Sequence, residues 1–278
     1  MTSTITLVAI VKNEGRYLDE WLSYYRKIGI SKVICYDNGS TDGTRDVLNA
    51  WSSDGWVEVV DWPTVIGVQP QKAAYNDAKA RVKTRWAAFF DADEFLVLHA
   101  HTSVPSMLDD LDPSVVAVCV NWRVFGSSGE TAYRPQPMYE RFVRAAEPDF
   151  EPNRLFKTIA RTDALLKMSV HHGRFRRRTL EQAYRSPSGG EVVFHGNGLT
   201  DGPHWSVAQL NHYVVKSAEE WADKRKRGRV HNPLNDDDKY KSDETAARYF
   251  KVHDRNETVD RSLLDMLARI EKTATTAQ

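Results

Sequence analysis

Apolar positions in the first hundred residues follow two alternating rhythms. Ile5–Val11 is an unbroken apolar, β-branched run, the pattern of a strand buried on both faces. Leu18, Trp21, Leu22, Tyr25 and Ile28 then recur at three- and four-residue spacing, which predicts an amphipathic helix, and Gly29 can end it. The cycle repeats. Residues 33–36 read as a second strand, and a helix through Val47, Leu48 and Trp51 follows, with Asp42 or Thr44 as its cap. Residues 57–62 read as a third strand, 70–84 as a helix, and 86–90 as a fourth strand that runs straight into Asp91-Ala-Asp-Glu94.

The order βαβαβαβ predicts an α/β fold with a mostly parallel central sheet and crossover helices. Ligands of such sheets bind beyond the carboxyl ends of the strands. Polar clusters sit at three of those ends: Lys12-Asn13-Glu14, Asp37 to Ser40, and Asp91 to Glu94. Further on, residues 115–124 and 156–160 read as strands. The stretch 126–153 holds four prolines, at 135, 137, 148 and 152, and reads as a long loop region that could line a binding site. Ser217 and Glu220 form a capping box that opens a helix, which Gly228 would close. Residues 235–238 would open the next helix. Val259, Leu263, Met266, Leu267 and Ile270 mark a final amphipathic helix.

Composition narrows the class. The 278 residues are 41% hydrophobic and 27% charged, which excludes wholesale disorder. Lys plus Arg and Asp plus Glu each total 38, and a net charge of zero argues against a general polyanion or nucleic-acid binder. The charge is uneven, however: residues 161–230 carry 13 Lys or Arg against 7 Asp or Glu, mostly in Arg174–Arg178 and Lys224–Arg229. That stretch reads either as a solvated helix face or as a contact for diphosphate or an anionic acceptor, with Lys157 and Lys216 as further anion contacts. Cys35 and Cys119 read as two buried free thiols of a reducing compartment. The first ten residues lack the basic and apolar regions of a secretory signal, and no apolar run approaches membrane-spanning length. These features predict a cytoplasmic protein and leave room for peripheral contact with the inner face of a membrane.

Asp91 and Asp93 follow the apolar strand Ala87-Ala-Phe-Phe90. Two residues apart on a strand or its extension, their carboxylates would point the same way. Such a pair can share a hard divalent cation, or divide the work between the cation and a sugar hydroxyl.

The motifs Val8-Ala-Ile-Val-Lys-Asn-Glu14, Tyr36-Asp-Asn-Gly-Ser-Thr-Asp-Gly-Thr44 and Phe89-Phe-Asp-Ala-Asp-Glu-Phe95 resemble those of the GT-A glycosyltransferases of family 2. Gln71-Lys-Ala-Ala-Tyr-Asn76, Asp93-Glu-Phe-Leu96 and Leu210-Asn-His-Tyr-Val-Val-Lys-Ser217 resemble the branch that joins family 2 to family 92. The resemblance implies a GT-A fold, with residues 1–125 as the nucleotide-sugar-binding half and 126–278 as the acceptor side, joined across a soft boundary in one catalytic domain.

It further implies a metal-dependent, inverting transferase that uses Mn2+ or Mg2+ and a nucleotide-sugar donor, with a UDP-sugar expected. The acceptor would be a saccharide or a lipid-linked glycan. On this alignment Asn13, Glu14, Asp37, Asn38, Lys72, Asp91 and Lys157 bind the donor. Asn38 stands where the commoner motif has a second Asp, which leaves open whether Asp37 or Asn38 reads the base. Asp91, Asp93 and His171 would hold the metal. His212 would act at the diphosphate or acceptor, or as the metal's histidine in place of His171. Glu140, in Tyr139-Glu-Arg-Phe142, is the matching candidate for the acceptor base, with Glu181, Glu191 and Asp201 as alternatives.

Two other functions compete. A sugar-phosphate nucleotidyltransferase also needs a parallel sheet and paired carboxylates, but no Gly-rich phosphate loop with a following Lys or Arg stands near the first strand. A nucleotide-sugar-binding protein without catalysis is the other, and the intact Asp91, Asp93 and Glu94 speak against it.

Overall fold

The computed structural model describes residues 2–196, 198–227 and 242–276. Its strands are β1 (Ile5–Val11), β2 (Lys32–Asp37), β3 (Val57–Asp61), β4 (Trp86–Phe89), β5 (Glu94–Leu98), β6 (Ala117–Val124), β7 (Arg144–Ala145), β8 (Phe156–Arg161), β9 (Leu165–Met168), β10 (Gly173–Phe175), β11 (Tyr184–Arg185), β12 (Ala208–His212) and β13 (Thr258–Val259). The helices are α1 (Gly15–Lys27), α2 (Thr44–Ser52), α3 (Pro70–Arg81), α4 (Val104–Asp109), α5 (Met138–Arg141), α6 (Leu180–Ala183), α7 (Ala218–Arg227), α8 (Asp243–His253) and α9 (Ser262–Thr276).

The class is α/β, as the alternating pattern predicts. The main sheet runs β3-β2-β1-β4-β8-β6-β12-β5. The first four strands are parallel, as expected from the crossover helices. The second half departs from the prediction. β8 runs antiparallel to both β4 and β6, β12 runs parallel to β6, and β5 runs antiparallel to β12 at the far edge. So β6 and β12 point the same way as β1 to β4, while β8 and β5 run against them. Strands from both halves of the chain share this sheet.

Helix α1 buries the predicted stripe: Leu18, Trp21, Leu22, Tyr25 and Ile28 are all inaccessible to solvent. Each contributes on the order of 2 kcal/mol from apolar area removed from water. The helix ends in a Schellman turn. Gly29 takes φ 89°, its N–H donates to the Arg26 carbonyl, and the Ile30 N–H donates to the Tyr25 carbonyl.

The polar ends of the same aromatic residues have a second task. Among the described residues β5 has a strand partner on one side only, so its outer carbonyls need other donors. Trp21 Nε1 and the Tyr25 hydroxyl donate to the Glu94 carbonyl, each at 3.0 Å, and the Tyr24 hydroxyl donates to that of Leu96 at 2.5 Å. At the other end of β5, Arg269 of α9 donates to the Leu98 carbonyl, and the Leu98 N–H meets Met266 Sδ at 3.1 Å.

Other local expectations differ in detail. The helix expected over 70–84 stops at Arg81, because Val82 turns to extended backbone. Neither Asp42 nor Thr44 caps α2; its N-cap is Gly43, and Asp42 instead accepts the Thr44 N–H at 2.9 Å in a tight turn. The Ser217–Glu220 capping box forms. Gly228 and residues 235–238 lie outside the described residues, and the next described helix, α8, is capped by Ser242. Residues 126–153 are largely irregular, interrupted by α5, β7 and one 3-10 turn at Glu151–Arg154. Cys35 and Cys119 are both buried and free. No helix among the described residues is long and apolar enough to cross a membrane.

Glu20 of α1 accepts the Met138 N–H at 2.8 Å, which joins this helix to α5. Burial raises its carboxyl to about 8, against the pull of the backbone donors of Met138 and Tyr139. Between the unfolded value near 4.5 and about 8, the folded chain keeps a proton that the unfolded chain releases, so this residue costs stability as pH rises. Glu20→Gln keeps the acceptor and cannot ionise. Its stability relative to the parent should therefore improve by about 3.5 kcal/mol between pH 5 and pH 8, read by urea unfolding. A difference that stays constant with pH would show that Glu20 is ionised in the fold.

Candidate active site at the carboxyl edge

The loops after β1 and β2 are laced together. Asn13 adopts the left-handed region at φ 54°, which Asn tolerates better than most residues. Its side-chain oxygen accepts the Thr41 N–H at 2.7 Å, and its own N–H donates to Ser40 Oγ at 3.0 Å. The Glu14 N–H donates to Thr44 Oγ1 at 2.8 Å. A Cβ at Gly15 would lie 2.9 Å from the Thr44 nitrogen, so only glycine allows the two loops this close. Asp37 is buried, accepts the Ser40 N–H at 2.9 Å and pairs with Arg45 at 3.0 Å. Asn38 is buried too; it donates to the Trp62 carbonyl at 2.7 Å and accepts from Thr64 at 3.2 Å. Both residues thus brace the loops.

Asp91 and Asp93 are not on a strand. β4 ends at Phe89, and the two carboxylates sit in a tight turn closed by the Glu94 N–H donating to the Asp91 carbonyl at 3.1 Å. The strand alternation expected to align them therefore does not apply, and they have separate partners. Asp91 meets Lys157 Nζ at 2.7 Å and accepts from Gln71 at 2.7 Å and Tyr75 at 3.2 Å. Asp93 meets Lys224 Nζ at 2.8 Å, with Lys216 Nζ at 3.9 Å on the same oxygen and His212 Nε2 at 3.7 Å from the other.

Register explains this convergence. β12 pairs His212 with Glu94 and with Val124, and the Tyr213 N–H donates to the Asp93 carbonyl at 3.0 Å. Lys157, on β8 opposite Val120, is wholly buried. Its ammonium also faces Glu94 at 3.7 Å. Glu94, equally buried, accepts the Asp91 N–H at 2.8 Å and Trp122 Nε1 at 2.7 Å.

The electrostatics follow from burial and pairing. Burial acts to raise the Asp93 pKa, but Lys224, His212 and Lys216 hold it far below the usual carboxylate range. Burial acts to lower the Lys157 pKa, yet Asp91 and Glu94 raise it above the ordinary lysine value. Burial, with Lys157 adding to it, lowers His171 to about 4. Burial lowers His212 to about 3, against the attraction of Asp93. Both imidazoles are therefore neutral near pH 7. Trp122 stands between them, its ring 5.4 Å from that of His171 and 4.2 Å from that of His212.

In kind, this set suits a hard divalent cation: carboxylates beside neutral imidazoles. The Nδ1 of His171 lies 3.0 Å from the Phe156 carbonyl, which can only accept, so Nδ1 carries the proton and Nε2 is left with its lone pair. Metal-bound histidines are commonly held this way. His212 Nδ1 is buried without a hydrogen-bond partner. Among the described residues no three His, Cys, Asp or Glu side chains stand close enough to hold a metal together. A cation on Asp93 Oδ2 would meet Lys224 and Lys216, whereas Oδ1 faces His212 Nε2 at 3.7 Å.

Of the remaining candidates, Lys72 lies near His172, whose pKa burial and this lysine lower. Glu140 is exposed on α5 and is not brought into the carboxylate cluster, whereas Arg141 beside it turns inward. Glu181, Glu191 and Asp201 are exposed as well, with Asp201 paired to His204 at 3.1 Å. Arg174, Arg176, Arg177 and Arg178 are exposed. Sequence reasoning passed over Gln71, Tyr75 and Trp122 as site residues. The four-residue spacing of Gln71 and Tyr75, which puts them on one face of α3, is the signal that could have found the first two.

A cavity of about 200 Å³ lies beside Asp93, lined by Asn13, Arg16, Tyr17, Asp42, Lys216, Glu220, Asp223 and Lys224. Its floor is braced by Glu220, which accepts from Arg141 at 2.6 Å and from the Tyr17 hydroxyl at 2.9 Å.

A family model described as Glycosyltransferase family 92 matches residues 10–241. The chain is 27% identical over 228 residues to a glycosyltransferase family 92 protein of Oryza sativa subsp. japonica, covering 80% of this chain and 35% of that protein. It is 28% identical over 177 residues to one of Arabidopsis thaliana, covering 58% and 29%. The chain thus spans about a third of the length of these relatives. Among solved structures it is similar to a mannosyltransferase of Pyrobaculum calidifontis in complex with GDP-Man and Mn2+, at 19% identity and a TM-score of 0.37, covering 58% of this chain and 45% of that one.

Arg141 and Glu220 form a pair whose side chains are only 2% and 0% exposed. Arg141→Met leaves the Glu220 charge buried without its guanidinium and should cost about 3 kcal/mol in urea unfolding. Adding Glu220→Gln should recover most of that loss. A single variant as stable as the parent would mean that Ser217 and Tyr17 satisfy Glu220 alone.

Proposed function

The chain belongs to glycosyltransferase family 92; on that premise we propose that it transfers a sugar from a nucleotide-sugar donor to a saccharide or lipid-linked acceptor. The donor is a UDP-sugar, the reaction is inverting and depends on Mn2+ or Mg2+, and the kinship with family 2 suggested by the strand-end motifs belongs to the same reading. The observation that carries it is the turn at Asp91–Asp93: two carboxylates at the sheet's carboxyl edge, beside neutral imidazoles and a cavity lined by Arg16, Lys216 and Lys224.

In this reading Asp91, Asp93, His171 and His212 are the residues that would hold the cation. When bound, the cation supplies Lewis acidity that offsets the negative charge growing on the departing diphosphate. Lys216, Lys224 and Arg16 attract the same phosphates through long-range charge and direct hydrogen bonds. Lys157 and Gln71 fix the orientation of Asp91 toward the donor. Burial of His171 and His212 keeps them neutral, so neither competes for charge with the cation. Asn13 and Glu14 shape the nucleotide side of the cleft, and Asp37 or Asn38 reads the base at its rim.

Purified chain with Mn2+ and a panel of nucleotide sugars tests this. Slow hydrolysis of one donor, lost in Asp93→Ala, is expected. Asp93→Asn should weaken Mn2+-dependent UDP binding in calorimetry by at least ~10-fold, or about 1.4 kcal/mol. Unchanged UDP binding with and without metal would remove Asp93 from that role. Pyrophosphate release from a nucleoside triphosphate and a sugar phosphate would point to nucleotidyl transfer instead.

A further inference from the structure

A second cavity, of about 340 Å³, lies along the solvent side of α1. Its volume falls in the usual range of ligand pockets, about 300–1,000 Å³. One wall is a stripe of α1: Arg16, Asp19, Glu20, Ser23, Tyr24 and Lys27 recur at the three- and four-residue spacing of a single helix face. The other wall comes from the Pro-rich stretch, through Tyr133, Gln136, Tyr139 and the prolines at 135 and 137. That wall is fixed in place. The Tyr133 N–H donates to Glu219 Oε2 at 2.8 Å, the Met138 N–H donates to Glu20 at 2.8 Å, and the Arg16 guanidinium lies 5.0 Å over the Tyr133 ring. A groove held open in advance loses little freedom when it is filled.

The lining also sets the kind of ligand it suits. Arg16 pairs with Asp223 and Lys27 with Glu271, each at 3.1 Å. Asp19 accepts from Trp51 Nε1 at 2.8 Å, and Glu20 accepts the Met138 N–H. Two cations and two carboxyls thus stand along the groove, all engaged, and they give no field of one sign to draw an ion. Beside them are apolar faces of tyrosine and proline, a hydroxyl at Ser23, an amide at Gln136 and the phenol of Tyr139. Flat apolar faces edged by uncharged donors and acceptors match a sugar ring, which has C–H faces and a rim of hydroxyls. Arg16 and Tyr17 line this groove and also the 200 Å³ cavity beside Asp93, so the two spaces share a wall.

We propose that the groove between α1 and residues 133–139 binds the acceptor as a neutral oligosaccharide, whose reacting end passes Arg16 and Tyr17 into the cleft. The acceptor role rests on the glycosyltransfer reading above; saccharide binding in the groove does not.

The test uses the full chain without metal or nucleotide. Ligand-observed NMR follows oligomers of glucose, mannose, galactose and N-acetylglucosamine, with an oligomer of glucuronic acid as the anionic probe. At least one neutral oligomer should bind. Ser23 and Gln136 are exposed, so Ser23→Trp fills the groove and Gln136→Ala removes its amide without touching the core. Ser23→Trp should weaken that oligomer by about 10-fold and Gln136→Ala by about 3-fold, while Lys167→Gln on β9 changes nothing. With donor and metal added, Ser23→Trp should raise the acceptor KM by about 10-fold and leave slow donor hydrolysis as in the parent. Thermal unfolding of each variant checks that the fold is intact. The groove assignment fails if no neutral oligomer binds, if the uronate binds more tightly than every neutral one, or if Ser23→Trp leaves binding unchanged. Turnover of a nucleotide sugar by the parent would then still uphold the glycosyltransfer reading. If an oligomer binds in the groove but no nucleotide sugar is turned over, the saccharide site stands and the acceptor role falls with that reading.

Discussion

A wholly buried ammonium governs the architecture of this site. Lys157 sits on β8 inside the sheet, and an unpaired charge there would be too costly to keep. It is tolerated because the turn after β4 brings Asp91 to 2.7 Å and Glu94 to 3.7 Å. That requirement fixes much else. Glu94 must stay buried at the start of β5, so Trp122 and the Asp91 N–H satisfy its carboxylate while Trp21 and Tyr25 satisfy its carbonyl. The turn cannot move without stranding a charge. The position of Asp93, two residues along, is therefore set by a neutralisation that takes place behind it.

Helix α1 and the first four strands were legible because their signals are local. An apolar run, a helical stripe and a glycine with positive φ each act within a few residues, and Leu18, Trp21 and Gly29 behave as the pattern predicts. The strand-end clusters were legible for the same reason, since a parallel order alone places them on one edge. What stayed hidden depends on distant pairing. Nothing near Phe156 says that β8 will lie antiparallel between β4 and β6, and nothing near Ala208 says that β12 will bring His212 opposite Glu94. The two lysines at Asp93 were visible only as members of basic or anion-binding stretches, because periodicity cannot tell a solvated lysine from one that turns inward. Strand alternation, applied to Asp91 and Asp93, overran the end of β4 by a few residues, and the turn gave each carboxylate its own partner.

The overall charge balance of zero conceals a finer arrangement. Each aspartate at the turn has its own ammonium, drawn from a different part of the chain: Lys157 from mid-sheet, Lys224 from α7. The histidines contribute no charge at neutral pH because burial outweighs the pull of the carboxylates. The cleft is thus organised in layers, with the Lys157–Asp91 pair buried beneath and the Lys224–Asp93 pair toward the cavity.

The covered edge of β5 carries one more implication. Open strand edges invite other chains to add to the sheet, and here three aromatic residues of α1 and two side chains of α9 occupy the positions where a foreign strand would dock. The tyrosines are held by the core, whereas α9 closes the chain's described end and supplies only Met266 and Arg269. That helix therefore governs colloidal behaviour: a chain shortened before Ser262 would retain its cleft residues but uncover the Leu98 end of β5, and its failure would be seen as self-association rather than as lost chemistry.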